Sequence, residues 1–72
     1  MASSVPVVGE VVEFDEGRGL GTVRAADGRT WTFHCTRIAD GSRTIAVGAA
    51  VVFEVVAGAP GAWEATSLVK LG

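Results

Sequence analysis

The sequence predicts an all-β domain in which five short strands close into a small barrel. Three observations carry this expectation. Val is the commonest residue, and β-branched and aromatic residues recur along the chain, a composition suited to pleated, half-buried surfaces. Ten Gly and two Pro cut the chain into short runs. No run of about ten residues or more holds an apolar helical stripe: "RIADGSRTI" is broken at Asp-Gly and "AVGAAVV" at Gly48. Finally, 49% of 72 residues are hydrophobic. An open sheet would leave one apolar face in water, and closure into a barrel removes it.

The elements follow in order. The first strand is "GEVVEF", residues 9 to 14, with Val11 and Phe14 inward; their odd spacing requires a bulge. The turn "DEGRG" leads to a second strand over residues 20 to 25. Asp27-Gly28 supplies a hairpin turn, because Gly accepts positive φ. The third strand, "TWTFHC" over residues 30 to 35, alternates inward Trp31 and Phe33 with outward Thr32 and His34. Residues 36 to 48 form a longer loop. "AVVFEVV" is the fourth strand, with Val51, Phe53 and Val55 on one face, and "WEATSLV" the fifth, returning Ala65 and Leu68 to the core. Residues 1 to 8 are expected as a loose tail and residues 9 to 72 as one domain.

Composition excludes several function classes. The single Cys35 permits no internal disulfide and no Cys-rich metal site, and it suits a reducing compartment. The uncharged stretch "TIAVGAAVVF" falls far short of the ~20 residues of a membrane-spanning helix. "MASSVPVV" lacks the basic region of a secretory signal, so the expectation is a cytoplasmic monomer with no membrane contact. Six basic residues against eight acidic ones give a net charge of −2, without the overall basic footprint of a nucleic-acid binder. Yet Arg18, Arg24, Arg29, Arg37 and Arg43 all fall in one central segment.

From Gly9 onward the chain resembles the cold-shock domain, a family of OB-type barrels that bind single-stranded RNA and DNA. The opening "G-x-V-x-x-F-D" (Gly9, Val11, Phe14, Asp15) matches the first strand of that family. "R-G-L-G-T-V", residues 18 to 23, falls on its first ribonucleoprotein motif, usually K-G-F-G-F-I, and "W-T-F-H", residues 31 to 34, on its second, usually V-F-V-H. "I-A-D-G-S-R-T-I" and "V-G-A-A-V-V-F-E-V" match the following loop and fourth strand, with Gly41, Gly48, Val51 and Phe53 in place. "G-A-P-G" followed by Ala65 and Leu68 matches the end, with about one extra loop residue. The resemblance implies a five-stranded antiparallel Greek-key barrel.

It also implies a binding face, which this sequence alters. The family stacks bases on aromatic side chains. At the corresponding positions this chain has Glu13, Leu20, Thr22, Thr32, Cys35 and Ser42, none of them aromatic. Only Arg18 and His34 match. Each base–ring stack contributes ~1–3 kcal/mol, so losing three removes on the order of 3–9 kcal/mol, against about 8 kcal/mol in a whole micromolar complex. The resemblance therefore implies weak single-stranded RNA or DNA binding through Arg18, Leu20, Thr22, Thr32, His34, Arg37 and Arg43. The alternative is a protein-interaction or regulatory module that kept the barrel and lost the nucleic acid.

Other readings of the same residues are plainer. His34 either contacts a base or is an ordinary exposed strand residue. Cys35 is read as a small residue near the end of the sheet: neighbours on a strand point to opposite faces, and no carboxylate is spaced to complete a triad with His34. No catalytic residue, metal ligand or cofactor site is expected, and the chain is not read as an enzyme. Arg24 and Arg29 are read as solvated and balanced by Asp15, Glu16, Asp27 and Asp40. Leu20 and Val12 would form a modest apolar patch and Trp63 a separate one, whereas Trp31 belongs to the core.

Overall fold

The computed structural model describes residues 6–57 and 63–71. Five strands, β1 (Val7–Asp15), β2 (Leu20–Ala25), β3 (Thr30–His34), β4 (Ala50–Ala57) and β5 (Trp63–Lys70), close into a barrel in the order β1-β2-β3-β5-β4. A single 3-10 turn, Cys35–Arg37, follows β3. No helix among the described residues is long and apolar enough to cross a membrane.

The all-β barrel is as the sequence predicts, with one difference in its closure. β1–β2, β2–β3, β1–β4 and β4–β5 are antiparallel, whereas β3 meets β5 in parallel through Thr32 and Glu64. Ile38 extends that parallel edge by bridging to Leu68, and the Ala39 N–H donates to the Leu68 carbonyl at 2.8 Å. The expected tail also shortens. Val7 and Val8 belong to β1 and pair with Phe53 and Val52, because β4 supplies an edge that reaches beyond Gly9. Residues 1 to 5 lie outside the described residues, as does the "GAPGA" connection before Trp63.

Bulges reconcile the odd apolar spacings with a sheet that alternates every two residues. In β1 the register shifts between Val11 and Glu13, leaving Val12 as the extra residue. Val11 is thereby fully buried while Phe14 packs on the core. In β5, Ser67 adopts φ 55 and the register shifts opposite Val52 and Glu54, so Ala65 and Leu68 both point inward.

The core is apolar throughout: Val11, Val23, Phe33, Ile38, Ile45, Val51, Phe53, Ala65 and Leu68. Burying each larger side chain stabilises the fold by about 1.5–3 kcal/mol. Ile38 and Ile45 come from the segment expected to be plain loop, yet both are buried in the same core cluster as the strand residues. Phe14 stacks on Phe33, ring centroids 6.0 Å apart. Gly21 makes that stack possible, because a Cβ there would stand 2.5 Å from the Phe33 ring and 2.8 Å from the Glu13 carbonyl oxygen.

One polar cluster ties the long loop to β5. The Asp40 carboxylate accepts from the Ser42 N–H at 2.9 Å and pairs with Lys70 Nζ at 3.2 Å. Hydrogen bonds from the Ser42 hydroxyl, then its N–H, then Lys70 hold the Asp40 carboxyl down from 3.8 to about 2. A depressed carboxyl favours the folded loop above the unfolded pKa and loses that contribution as pH falls through the folded one. The Ser42 amide resonance is therefore expected to titrate with a midpoint near 2, and to stop doing so in Asp40→Asn. A midpoint at 3.8, the ordinary carboxyl value, would contradict the arrangement.

Candidate functional site

The outward positions of β1, β2 and β3 line up in rows. Asp15 faces Leu20, and Leu20 faces His34. Glu13 faces Thr22, Thr22 faces Thr32, and Thr32 meets Glu64 of β5. Glu10 faces Arg24, and Arg24 faces Thr30. Every row thus begins with a carboxylate on β1. Leu20, Thr32 and His34 are exposed and Thr22 is half-buried, while Gly21, Val23 and Phe33 between them are buried. This is strand alternation read directly from the sequence.

A shallow hollow of about 590 Å³ runs across this face, bordered by Glu13, Arg18, Leu20, Thr22 and Thr32. Its apolar edge combines Leu20 with Val12, the bulge residue, and Val47 from the long loop, which is 62% exposed. Val47 was not visible as a site residue, since nothing in the sequence shows where the loop returns. Arg37 and Arg43 do not line the hollow. Arg37 ends the 3-10 turn, Arg43 lies in the loop, and both are exposed. Of the seven residues expected as contacts, Arg18, Leu20, Thr22 and Thr32 border the hollow and His34 lies beside Leu20.

Charge on the face is largely internally balanced. The Arg18 guanidinium approaches the Asp15 carboxylate at 3.9 Å, and the Arg18 backbone N–H donates to the same carboxylate at 3.2 Å. Arg24 pairs with Glu10 at 3.6 Å and Arg29 with Asp27 at 2.7 Å. The Thr22 hydroxyl donates to Glu13 at 3.4 Å. These pairs are exposed, so each contributes at most about 1 kcal/mol and yields readily to a stronger anion.

His34 has a structural role that the sequence reading missed. It caps the 3-10 turn: Nδ1 accepts from the Thr36 N–H at 3.2 Å and lies 3.0 Å from the Thr36 hydroxyl. In the neutral ring this places the proton on Nε2, leaving that atom as a donor. The ring lies over Gly19, where φ is +67 and a Cβ would come within 2.9 Å of Cys35 Sγ and 3.6 Å of His34 Nε2. The glycines of "RGLGTV" thus serve the backbone turn and the Phe14–Phe33 stack. Cys35 corrects another expectation. The chain turns out of β3 at Cys35, so its Sγ lies 3.9 Å from His34 Nδ1 instead of on the opposite face. Among the described residues no carboxylate bonds to His34, and Cys35 packs half-buried against the core.

No protein-family model matches this chain, and no curated protein matches it.

Proposed function

We propose that the chain is a cold-shock-like module that binds single-stranded RNA or DNA weakly across the outer face of β1, β2 and β3. The observation that supports this reading is the grouping of Arg18, Leu20, Thr22 and Thr32 around one hollow, with His34 paired to Leu20 at its edge. Arg18 supplies a cation for a phosphate once its loose pair with Asp15 opens. His34 Nε2 and the two Thr hydroxyls supply hydrogen bonds to base edges, and Leu20 an apolar contact.

Weakness follows from the same face. The outward positions Glu13, Leu20, Thr22 and Thr32 carry no Phe, Tyr or Trp ring, Phe14 in the lining is already stacked on Phe33, and each base–ring stack is worth ~1–3 kcal/mol. The column Glu10, Glu13 and Asp15 on β1 repels a phosphate backbone. Binding is expected well above micromolar Kd, and to weaken further with salt as bound phosphates exchange for counterions. An NMR titration with a short oligopyrimidine tests this: saturable shifts on this face support it.

A second reading is a protein-interaction module. Val12, Leu20 and Val47 beside the carboxylate column favour it, because an apolar strip edged with acids suits a basic peptide. It takes precedence if the oligonucleotide moves nothing.

A further inference from the structure

The barrel has a second, different opening at the end away from His34. Val7, Trp31, Val55 and Trp63 line a cavity of about 660 Å³ rimmed by Gly28, Arg29 and Thr30. All four apolar side chains are on the inward phase of their strands. Val7 alternates with Gly9 and Val11, Trp31 with Phe33, Val55 with Phe53, and Trp63 with Ala65. The cavity is therefore the mouth of the barrel itself. Its volume falls within the ~300–1,000 Å³ of small-ligand sites, for which barrel mouths are a common location.

Three features define what fits there. Trp63 is on an inward phase yet remains 60% exposed, so an indole face is available at the mouth. Trp31 is fixed edge-on against Phe53, centroids 5.6 Å apart at 63°. The Arg29 guanidinium stands over the Trp31 ring at 5.2 Å. Arg29 is held in place by Asp27, which accepts from its backbone N–H at 3.0 Å and its Nε at 2.7 Å. Neither Nη donates a hydrogen bond among the described residues, so both keep donors open to solvent and to a ligand. A cationic ligand is disfavoured by the guanidinium already on Trp31. A purely apolar one would make no use of the Nη donors.

We propose that this mouth binds a nucleotide unit, with the base stacked on Trp63 over Val7 and Val55 and the phosphate on Arg29 Nη. The site is separate from the outer face of β1 to β3 and does not depend on it. The unit is either a free nucleotide or one residue of a strand.

The indole Nε1–H resonances of Trp31 and Trp63 give a direct readout in a ¹⁵N-labelled sample. Thymidine monophosphate, thymidine and oligo(dT) are titrated in parallel. Saturable movement of both indole signals and of Arg29 Nε is expected. Trp63→Ala should weaken binding about five- to 150-fold, the span of one lost base–ring stack, and Trp63→Phe should recover part of it. Arg29→Gln should weaken the monophosphate about tenfold and the nucleoside little, as expected for a lost charge-assisted bond. Both side chains are exposed, and amide dispersion in the same spectra reports that the barrel is intact. Saturation by the monophosphate identifies a free-nucleotide site; saturation by oligo(dT) alone identifies a strand site. Indole signals that stay still at millimolar nucleotide and oligonucleotide would overturn the proposal, as would an Arg29→Gln variant of unchanged affinity. Shifts at Thr22, Thr32 and His34 without indole shifts would overturn the mouth and leave the outer face standing, and the converse would do the reverse.

Discussion

Replacing Thr22 and Thr32 together by Phe is expected to tighten oligopyrimidine binding by at least about thirtyfold. The two residues are directly opposed on β2 and β3, where cross-strand Cβ atoms stand about 4.5–5.5 Å apart. Two rings there would form adjacent platforms, each adding ~1–3 kcal/mol of stacking. Little opposes the gain. Both positions face outward, and the bond lost from Thr22 to Glu13 is long and exposed. Fluorescence anisotropy of a labelled oligopyrimidine gives the ratio of Kd values between variant and parent. A change below threefold would mean that missing rings are not what limits binding, and that the face is unsuited to nucleic acid for another reason.

Gly21→Ala is expected to cost about 3 kcal/mol of stability, at the upper end of ordinary overpacking. The added Cβ would stand 2.5 and 2.7 Å from two atoms of the Phe33 ring and 2.8 Å from the Glu13 carbonyl oxygen. The ring cannot withdraw, because Phe33 is wedged in the core and stacked on Phe14. The carbonyl cannot withdraw without breaking the β1–β2 ladder. A chain of this size carries roughly 4–11 kcal/mol in total, so the melting temperature should fall by about 12–24 °C. Gly17→Ala provides the contrast. Its Cβ would meet only an Asp15 carboxylate oxygen at 3.4 Å, and that variant should melt within a few degrees of the parent. Thermal denaturation by circular dichroism measures both. Equal melting temperatures would show that Gly21 is present for something other than the Phe14–Phe33 stack.

Much of the fold was legible because it is written in local alternation. "LGTVRA" gave β2 its observed bounds, and the three-residue spacing of Val11 and Phe14 required the bulge that β1 contains. The same spacing between Ala65 and Leu68 carried the signal of the β5 bulge, which places Ser67 at positive φ. What could not be read depends on partners distant in sequence. The parallel contact of Thr32 with Glu64 follows from barrel closure, not from either segment. Val7 and Val8 become strand only because β4 pairs with them. Ile38 and Ile45 are single apolar residues in a loop without period, so nothing marks them as core.

The site divides along the same line. Outward Leu20, Thr22, Thr32 and His34 follow from strand phase, and Arg18 from its place in the turn. Arg37 and Arg43 sit beyond β3, where phase no longer applies, and they do not reach the hollow. Capping of the 3-10 turn by His34 depends on a bond to Thr36 that a strand reading does not consider. Trp63 was visible as an isolated apolar residue. Its place at the barrel mouth with Trp31 and Arg29 requires the closed barrel.

The measurement that bears most directly on the proposed function is an NMR titration of ¹⁵N-labelled protein with a short single-stranded oligopyrimidine, at low and then moderate salt. Saturable shifts are expected at Arg18, Leu20, Thr22, Thr32 and His34, with an apparent affinity that falls as salt rises. Unchanged resonances on this face at millimolar oligonucleotide and low salt would contradict the proposed function.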